Sequence, residues 1–246
     1  MARSANSPAG RRPIALAVVV SFFFVGGWLD RSAEGRLGLI ETKRLVVISD
    51  AGPVVVRAAD TLTLTHQDSW LINPPELEIV EGDAETIVRT RCDGPFPCRS
   101  TLTLTVPSGT ELVVVASSDG AHIETFDGLV TVFSSDDEGL VTLGPIRGTA
   151  RVVATGGRVE GYGLELEELD VEVVDARVDL HFNENPVRLR VASGRGSTRI
   201  SLPEGEHEIG VSTSQTVDID VASVPGADSL VNVMSDGDVR IWTDEL

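Results

Sequence analysis

Alternating apolar and polar positions dominate the chain after residue 43, and short turns interrupt them at regular intervals. The clearest units read VVVASSDGAHIETFDG, VTVFSSDDEGLVTLGPIRG and ARVVATGGRVEGYG. Alternation with a period of two residues is typical of strands that bury one face, and Ser, Thr, Asp and Gly favour the turns between them. No helical period persists in this region, so the sequence predicts an all-β fold.

The turns recur at a nearly constant interval. Gly120, Gly139 and Gly157 lie 19 and 18 residues apart, and weaker turns continue the interval to the C-terminus. A fixed period of about 20 residues indicates stacked repeats, each too small to bury its own apolar face. We therefore expect residues 44–246 to form a single-stranded β-helix, a β-solenoid, in which the less regular residues 44–110 start or cap the stack. A tandem β-sandwich is the alternative fold.

The first 43 residues have a different pattern. Residues 1–12 contain three arginines and no acidic residue, and residues 13–29, from Pro13 to Leu29, contain no charged residue. Such a segment is about the minimum for a membrane-spanning helix, and Trp28 suits the membrane interface. The basic flank predicts a cytoplasmic N-terminus, a lipid-embedded helical anchor, a stalk over residues 30–43 and an extracytoplasmic β domain. A cleaved signal peptide, which would release the domain as a secreted protein, is the alternative.

The charge of the chain excludes one class of partner. The formal net charge is −18 at pH 7, with 38 acidic residues against 20 Lys and Arg. A surface this negative repels nucleic acid, so we expect no DNA- or RNA-binding role. Aromatic residues make up only 4% of the chain, which favours a core of Val, Leu, Ile and Ala.

The two cysteines lie close together in the segment RCDGPFPCR. Cys92 and Cys98 have no neighbouring Cys or His, so two thiolates alone would make an incomplete zinc site. If the domain is exported, a disulfide that closes this small loop is the better interpretation, and its contribution to stability is modest. Two free thiols in a loop are the alternative.

The repeated turns carry a family resemblance. The pattern V-x-[ST]-S-x-G-x-V/I occurs as VVASSDGAHI, VFSSDDEGLV, VVATGGRVEG and VMSDGDVRI. This pattern resembles the DUF4097 family of β-strand repeat proteins, known as putative adhesins, over residues 44–244. The resemblance implies a β-solenoid on the cell envelope behind an N-terminal membrane segment, and it implies no catalytic residues. The chain departs from the pattern in residues 164–200, where Asp175-Ala176-Arg177 replaces the glycine turn.

Candidate sites for chemistry are few. The four histidines are scattered, and neither a G-x-S-x-G elbow nor a phosphate-binding glycine loop occurs. Asp136, Asp137 and Glu138 form an acidic turn that is a weak candidate for Ca²⁺, with a solvated loop as the ordinary interpretation. We therefore expect no catalytic residues, no metal and no cofactor, with Ca²⁺ as the one open possibility.

These observations favour a non-catalytic module that acts at the cell surface. The expected partners are membrane lipid, through the N-terminal helix, and a protein or glycan ligand on the cell surface. An envelope sensor that works with a partner protein is the first alternative. The second is a polysaccharide-active enzyme, which would need exposed aromatic residues and two facing carboxylates.

Overall fold

The computed structural model describes residues 17–25, 28–82, 84–117 and 119–243, with side chains from residue 31 onward. The described part contains strands and turns and no helix, so the all-β prediction is confirmed. The strands belong to one 19-stranded sheet. In chain order they are β1 (Ala17–Val25), β2 (Trp28–Gly38), β3 (Arg44–Ser49), β4 (Val54–Ala58), β5 (Thr63–Trp70), β6 (Glu76–Glu81), β7 (Glu85–Arg91), β8 (Cys98–Val106), β9 (Glu111–Ala116), β10 (Ala121–Ile123), β11 (Phe126–Ser134), β12 (Leu140–Leu143), β13 (Ile146–Phe182), β14 (Arg188–Ser193), β15 (Thr198–Leu202), β16 (His207–Thr213), β17 (Val217–Asp220), β18 (Ser229–Ser235) and β19 (Val239–Thr243).

Most of the strands pair in parallel, in two long ladders. In the first ladder β9 pairs with β11 and β11 pairs with β13, so that Val130 lies beside Leu112. In the second ladder β10 pairs with β12 and β12 pairs with β13, so that Val141 lies between Ala121 and Val159. The separation of these paired residues along the chain matches the interval between the glycine turns. Parallel pairing also contradicts the alternative fold, the tandem β-sandwich, because sandwiches of the immunoglobulin type are built from antiparallel strands.

Each coil, defined here as one strand of the first ladder, a turn and one strand of the second, thus lies beside the next. Strand β13 is a single 37-residue strand that contributes to both ladders. Its residues 168–173 pair with β14 in the first ladder, and its residues 178–181 pair with β15 in the second. Two parts of β13 also lie side by side. Arg151 Nε lies 4.0 Å from Asp170 Oδ2, and Arg151 Nη2 lies 3.6 Å from Glu172 Oε2.

The order of the coils departs from chain order at both ends of the stack. Strand β3 lies between β7 and β9, although β4, β5 and β6 separate it from β7 in the chain. Strand β18 lies between β14 and β16. The coil that comes last in the chain therefore lies, in the sheet, between the two coils that come before it in the chain. At the first end the antiparallel strands β2, β5 and β6 extend the sheet beyond β8 and β7.

The buried apolar residues form one core cluster, to which strands of both ladders contribute. Its buried residues are mostly Val, Leu, Ile and Ala, and Phe126 and Phe182 are its aromatic members. Buried and more exposed positions alternate along strands such as β7 and β8. Successive residues of a strand point to opposite faces, so every second side chain enters the core and the others form the outer surface. Those outward side chains are the ones available for function.

The N-terminal segment differs from its prediction. Ala17–Val25 form strand β1, which pairs antiparallel with β2, where the sequence predicts a helix. Val and Phe, which are abundant in AVVVSFFFV, favour strands because their branched or aromatic side chains suit a pleated surface. Trp28 and Leu29 begin β2, whereas Pro13 lies outside the described residues. Within the described ranges no helix is long and apolar enough to cross a bilayer, and the anchor stays a prediction.

Strand β2 also occupies most of the segment predicted to be a stalk. Its residues 31–38 pair antiparallel with β5, and Leu37 is buried in the core. The polar and apolar residues of this segment therefore follow the same two-residue alternation as the rest of the sheet.

Candidate functional site

Parallel pairing with a constant offset brings equivalent outward positions of successive coils side by side. On the second ladder one such row contains His181, Ser201 and Trp242, because His181 pairs with Ser201 and Ser201 pairs with Trp242. Tyr162 joins the same row, with its ring beside that of His181. We refer to Tyr162, His181 and Trp242 as the aromatic row.

The three rings are in contact along the stack. The centroids of Tyr162 and His181 are 5.5 Å apart with an interplanar angle of 15°, and those of His181 and Trp242 are 5.8 Å apart at 79°. Both arrangements are favourable for aromatic rings. The guanidinium of Arg240 lies 5.5 Å from the centroid of the Trp242 ring, within the range of a cation–π interaction. Ser201 lies between His181 and Trp242, and its buried hydroxyl has no hydrogen-bond partner among the described residues.

A charged residue two positions earlier in the same strand orients each ring. The Tyr162 hydroxyl donates a hydrogen bond to Glu160 Oε2 at 3.2 Å. Nε2 of His181 lies 3.2 Å from Asp179 Oδ1. Residues i and i+2 of a strand point to the same face, which is why Glu160-Gly161-Tyr162, Asp179-Leu180-His181 and Arg240-Ile241-Trp242 all make this pairing.

Most of the charges around the row are paired. Arg158 Nη1 donates to Glu160 Oε1 at 2.9 Å, and Arg177 Nη2 donates to Asp179 Oδ2 at 2.9 Å. Partial desolvation and, to a smaller extent, the Glu160 carboxylate raise the pKa of the Tyr162 phenol above its ordinary value. The phenol therefore stays protonated and remains a donor. The result is a row of rings and fixed hydrogen-bonding groups in which the neighbouring acids are paired with arginines.

This row was not predicted as a site. The sequence has few aromatic residues, and its histidines are scattered. Tyr162 and Trp242 also lie in distant parts of the chain, so nothing in the sequence groups them with His181. The usable signal is a repeated triplet in which a charged residue precedes an aromatic one by two positions. Placing the triplets in one row also requires the order of the last coils, which the repeat interval does not give.

The structure contains the predicted disulfide between Cys92 and Cys98. The bond joins the residue after β7 to the first residue of β8, with a Cα–Cα distance of 5.9 Å. It therefore closes the loop between the two ladders in this coil. The described residues contain no free cysteine.

The acidic turn makes bonds of its own. Oδ2 of Asp136 accepts a hydrogen bond from the backbone N–H of Asp119 at 3.1 Å, and Oδ1 accepts one from Glu138 at 3.1 Å. This carboxylate thus satisfies backbone donors of two neighbouring turns, as Asp commonly does. Asp137 stacks against the next coil, where a Cβ at Gly156 would lie 2.7 Å from its Cα. Among the described residues no group of three or more His, Cys, Asp or Glu is placed to hold a metal ion.

A buried polar cluster elsewhere contains the residue types of a catalytic triad. His66 Nδ1 lies 2.9 Å from Asp68 Oδ2, and Ser100 Oγ donates to Asp68 Oδ1 at 2.6 Å. In a serine hydrolase the imidazole lies between the carboxylate and the serine and removes the serine proton. Here the carboxylate lies between the other two, and all three side chains are buried. The cluster satisfies polar groups between β5 and β8 and is not arranged for nucleophilic catalysis.

The remaining histidines also have partners in neighbouring strands. His122 Nδ1 lies 3.2 Å from Thr142 Oγ1. His207 is fully buried, with Nδ1 2.9 Å from Ser229 Oγ and Nε2 3.2 Å from the carbonyl oxygen of Pro203. These contacts hold adjacent coils together.

Comparison with solved structures finds distant likenesses. The chain is similar to a "putative adhesin" from Parabacteroides merdae, at 9% identity and a TM-score of 0.48, over 85% of this chain and 95% of that one. A "putative adhesin" from Parabacteroides distasonis gives 9% identity and a TM-score of 0.49, over 85% and 96%. One from Bacteroides fragilis gives 12% identity and a TM-score of 0.45, over 87% and 97%.

Sequence comparisons add no closer relative. No family model matches the chain. No curated protein matches it either. The resemblance to the DUF4097 family therefore stays a prediction.

Proposed function

We propose that this chain is a non-catalytic binding module of the bacterial cell surface, and that its aromatic row is the binding surface. The observation that carries the proposal is the alignment of Tyr162, His181 and Trp242 on one outward face, each ring held by a charged neighbour. A ring that is fixed in place loses little conformational entropy when it contacts a ligand, which is why aromatic anchors dominate binding energetics.

The proposed architecture is a single β-solenoid that winds through both ladders from β7 and β8 to β16 and β17. The nearly constant offset between sequential parallel strands supports this winding. In such a stack each coil adds to the length of the outer surface without changing its width. A row of rings that runs along the stack suits an extended ligand that contacts several coils.

The proposed location is outside the cytoplasm, with the N-terminal segment as an anchor in the cell membrane. The uncharged residues 13–29 and the arginines before them support this placement. The disulfide between Cys92 and Cys98 also supports it, because such bonds persist in oxidising compartments.

An adhesion assay tests the proposal. Bacteria that display the full chain are compared with cells that lack it, and trypsin added to intact cells tests whether the β domain is outside. We expect the displaying cells to be retained on glycan- or protein-coated surfaces, and the double variant Tyr162→Ala, Trp242→Ala to lose that retention. Phe133→Ala is the matched control, because Phe133 is an outward aromatic residue of the first ladder, 40% exposed. Equal retention with and without the chain would contradict the proposed function.

A further inference from the structure

We propose that the face of the Tyr162 ring that is turned away from His181 is a subsite for neutral carbohydrate. This inference rests on the surface-binding function proposed above and specifies its ligand class. It comes from the empty position beside the ring, the polar groups around that position and the balance of charge there.

The position next to Tyr162 in the row has no side chain. Leu143 pairs with Gly161 and with Ile123, so the following residues, Gly144, Tyr162 and Glu124, are neighbours across three strands. The Gly144 N–H donates to the Ile123 carbonyl at 2.7 Å, and a Cβ at Gly144 would lie 2.1 Å from the Glu124 carbonyl oxygen. The backbones approach too closely there for any other residue.

Because Gly144 has no side chain, the row of outward side chains has a gap between Glu124 and Tyr162, which we call the slot. Adjacent strands of a sheet are about 4.8 Å apart, so Glu124 and Tyr162 stand about 10 Å apart on either side of the glycine. His181 stacks on one side of the Tyr162 ring, yet Tyr162 remains 46% exposed. His181 and Gly144 are the neighbours of Tyr162 on either side in the row, so the face of the ring away from His181 lies on the side of Gly144, which has no side chain to cover it. A pyranose ring can lie against it, with its apolar C–H face toward the aromatic face.

The groups around the slot can bind sugar hydroxyls. Arg57 donates to both carboxylate oxygens of Glu124, and its Nη2–Oε1 distance is 2.8 Å. Glu160 accepts from Tyr162 and Arg158, and Thr142 lies beside His122 on the same face. An apolar ring face combined with a few fixed polar groups is the usual composition of a site that orients a small polar ligand.

The charge balance favours a neutral sugar. Both carboxylates beside the slot are hydrogen-bonded to arginines, so a cationic ligand would find no unpaired acid there. The chain as a whole carries a net charge of −18, which repels an anionic polysaccharide. Neutral hydroxyls can add to the paired groups without disturbing either ion pair.

Titration calorimetry on the purified full chain tests the inference, with maltohexaose, cellohexaose and chitohexaose as neutral probes and a hexamer of galacturonic acid as the acidic one. We expect at least one neutral hexasaccharide to bind, and to bind more tightly than the acidic hexamer. Tyr162→Ala should weaken binding at least tenfold, because it removes the ring face. Tyr162→Phe, which keeps the ring and loses only the hydrogen bond to Glu160, should stay within about threefold, and Phe133→Ala should have no effect.

Three outcomes would overturn the inference: no neutral hexasaccharide binds, binding is unchanged in Tyr162→Ala, or the acidic hexamer binds most tightly. Thermal unfolding of each variant checks that folding is retained, as expected for an exposed position. If the chain mediates adhesion but none of the neutral sugars binds, the carbohydrate assignment fails while the surface function stands. If neither occurs, both fail.

Discussion

Replacing Gly157 by Ala tests whether the glycine turns stack as closely as the structure requires. Gly157 has a φ of +78°, and a Cβ added there would lie 2.0 Å from the carbonyl oxygen of Gly139 in the preceding coil. Gly109 has the same φ of +78°, but nothing lies within 4 Å of its added Cβ. The two glycines share a backbone conformation and differ in their approach to another coil, so they form a matched pair.

The expected loss of stability follows from the cost of a positive φ, which both glycines share, and from the close approach to Gly139, which only Gly157 makes. An alanine in the left-handed region costs about 1–2 kcal/mol. The lower entropy of the unfolded chain offsets about 0.4–1 kcal/mol of this. Gly109→Ala should therefore destabilise the protein by about 1 kcal/mol. Gly157→Ala adds the displacement of the Gly139 backbone, and overpacking of this kind costs about 1–3 kcal/mol more.

The assay is thermal unfolding of both variants and the unsubstituted chain, with urea unfolding as a second measure. For a chain of this size 1 kcal/mol corresponds to about 2–4 °C in Tm, so Gly109→Ala should lower Tm by about 2–4 °C and Gly157→Ala by about 4–16 °C. Equal shifts in the two variants would refute the reasoning, because they would show that Gly139 and Gly157 do not approach each other in solution.

Three further predictions concern single features. Replacing Cys92 and Cys98 by Ser should lower the free energy of unfolding by about 2 kcal/mol, as urea unfolding under oxidising conditions would show; an unchanged midpoint would exclude the chain-entropy account. The hydrogen bonds from Arg195 lower the pKa of Asp175, so this pair stabilises the fold at neutral pH and the stabilisation is lost as the pH falls through the lowered pKa. Arg195→Gln should raise the pKa of Asp175 toward the ordinary value of an aspartate side chain, measured by carboxyl ¹³C NMR, and an unmoved titration would contradict the pairing. Millimolar Ca²⁺ should leave Tm unchanged, because Asp136 already accepts two backbone N–H groups, and a large rise with Ca²⁺ would contradict this.

The regular part of the fold was predictable because its signal is local. Gly120 and Gly157 mark turns by their interval, and both have positive φ values that favour glycine. The interval continues through the segment without a glycine turn, where Gly196 approaches the Ala176 carbonyl oxygen so closely that an added Cβ would lie 2.1 Å from it. The departure from the family pattern there moves the glycine to the next coil and does not interrupt the stacking.

The order of the end coils could not be predicted, because it depends on long-range pairing. Nothing in the sequence of β3 indicates that it pairs with both β7 and β9, since all three strands have similar apolar alternation. The same holds for β18 between β14 and β16. A strand of this composition fits several neighbours, and the three-dimensional packing selects among them.

The aromatic row was missed for the same reason. Trp242 reaches His181 only because β19 pairs with β15, although β16, β17 and β18 lie between them in the chain. The structure of the N-terminal segment was hard to predict for a different, local reason: its composition suits both a membrane helix and a strand. Its uncharged length favours the first, and its Val and Phe residues favour the second.

Hydroxyl-radical footprinting of the full chain, free and bound to isolated bacterial envelope fragments, tests most directly whether the aromatic row is the binding surface. The method reports the solvent exposure of individual side chains by their rate of oxidation. We predict that Tyr162 and Trp242 become protected on binding, whereas Phe133 and Met234, 40% and 46% exposed on the first ladder, keep their rates. Protection of Phe133 and Met234 with unchanged oxidation of Tyr162 and Trp242 would contradict the account and place the binding surface on the opposite ladder.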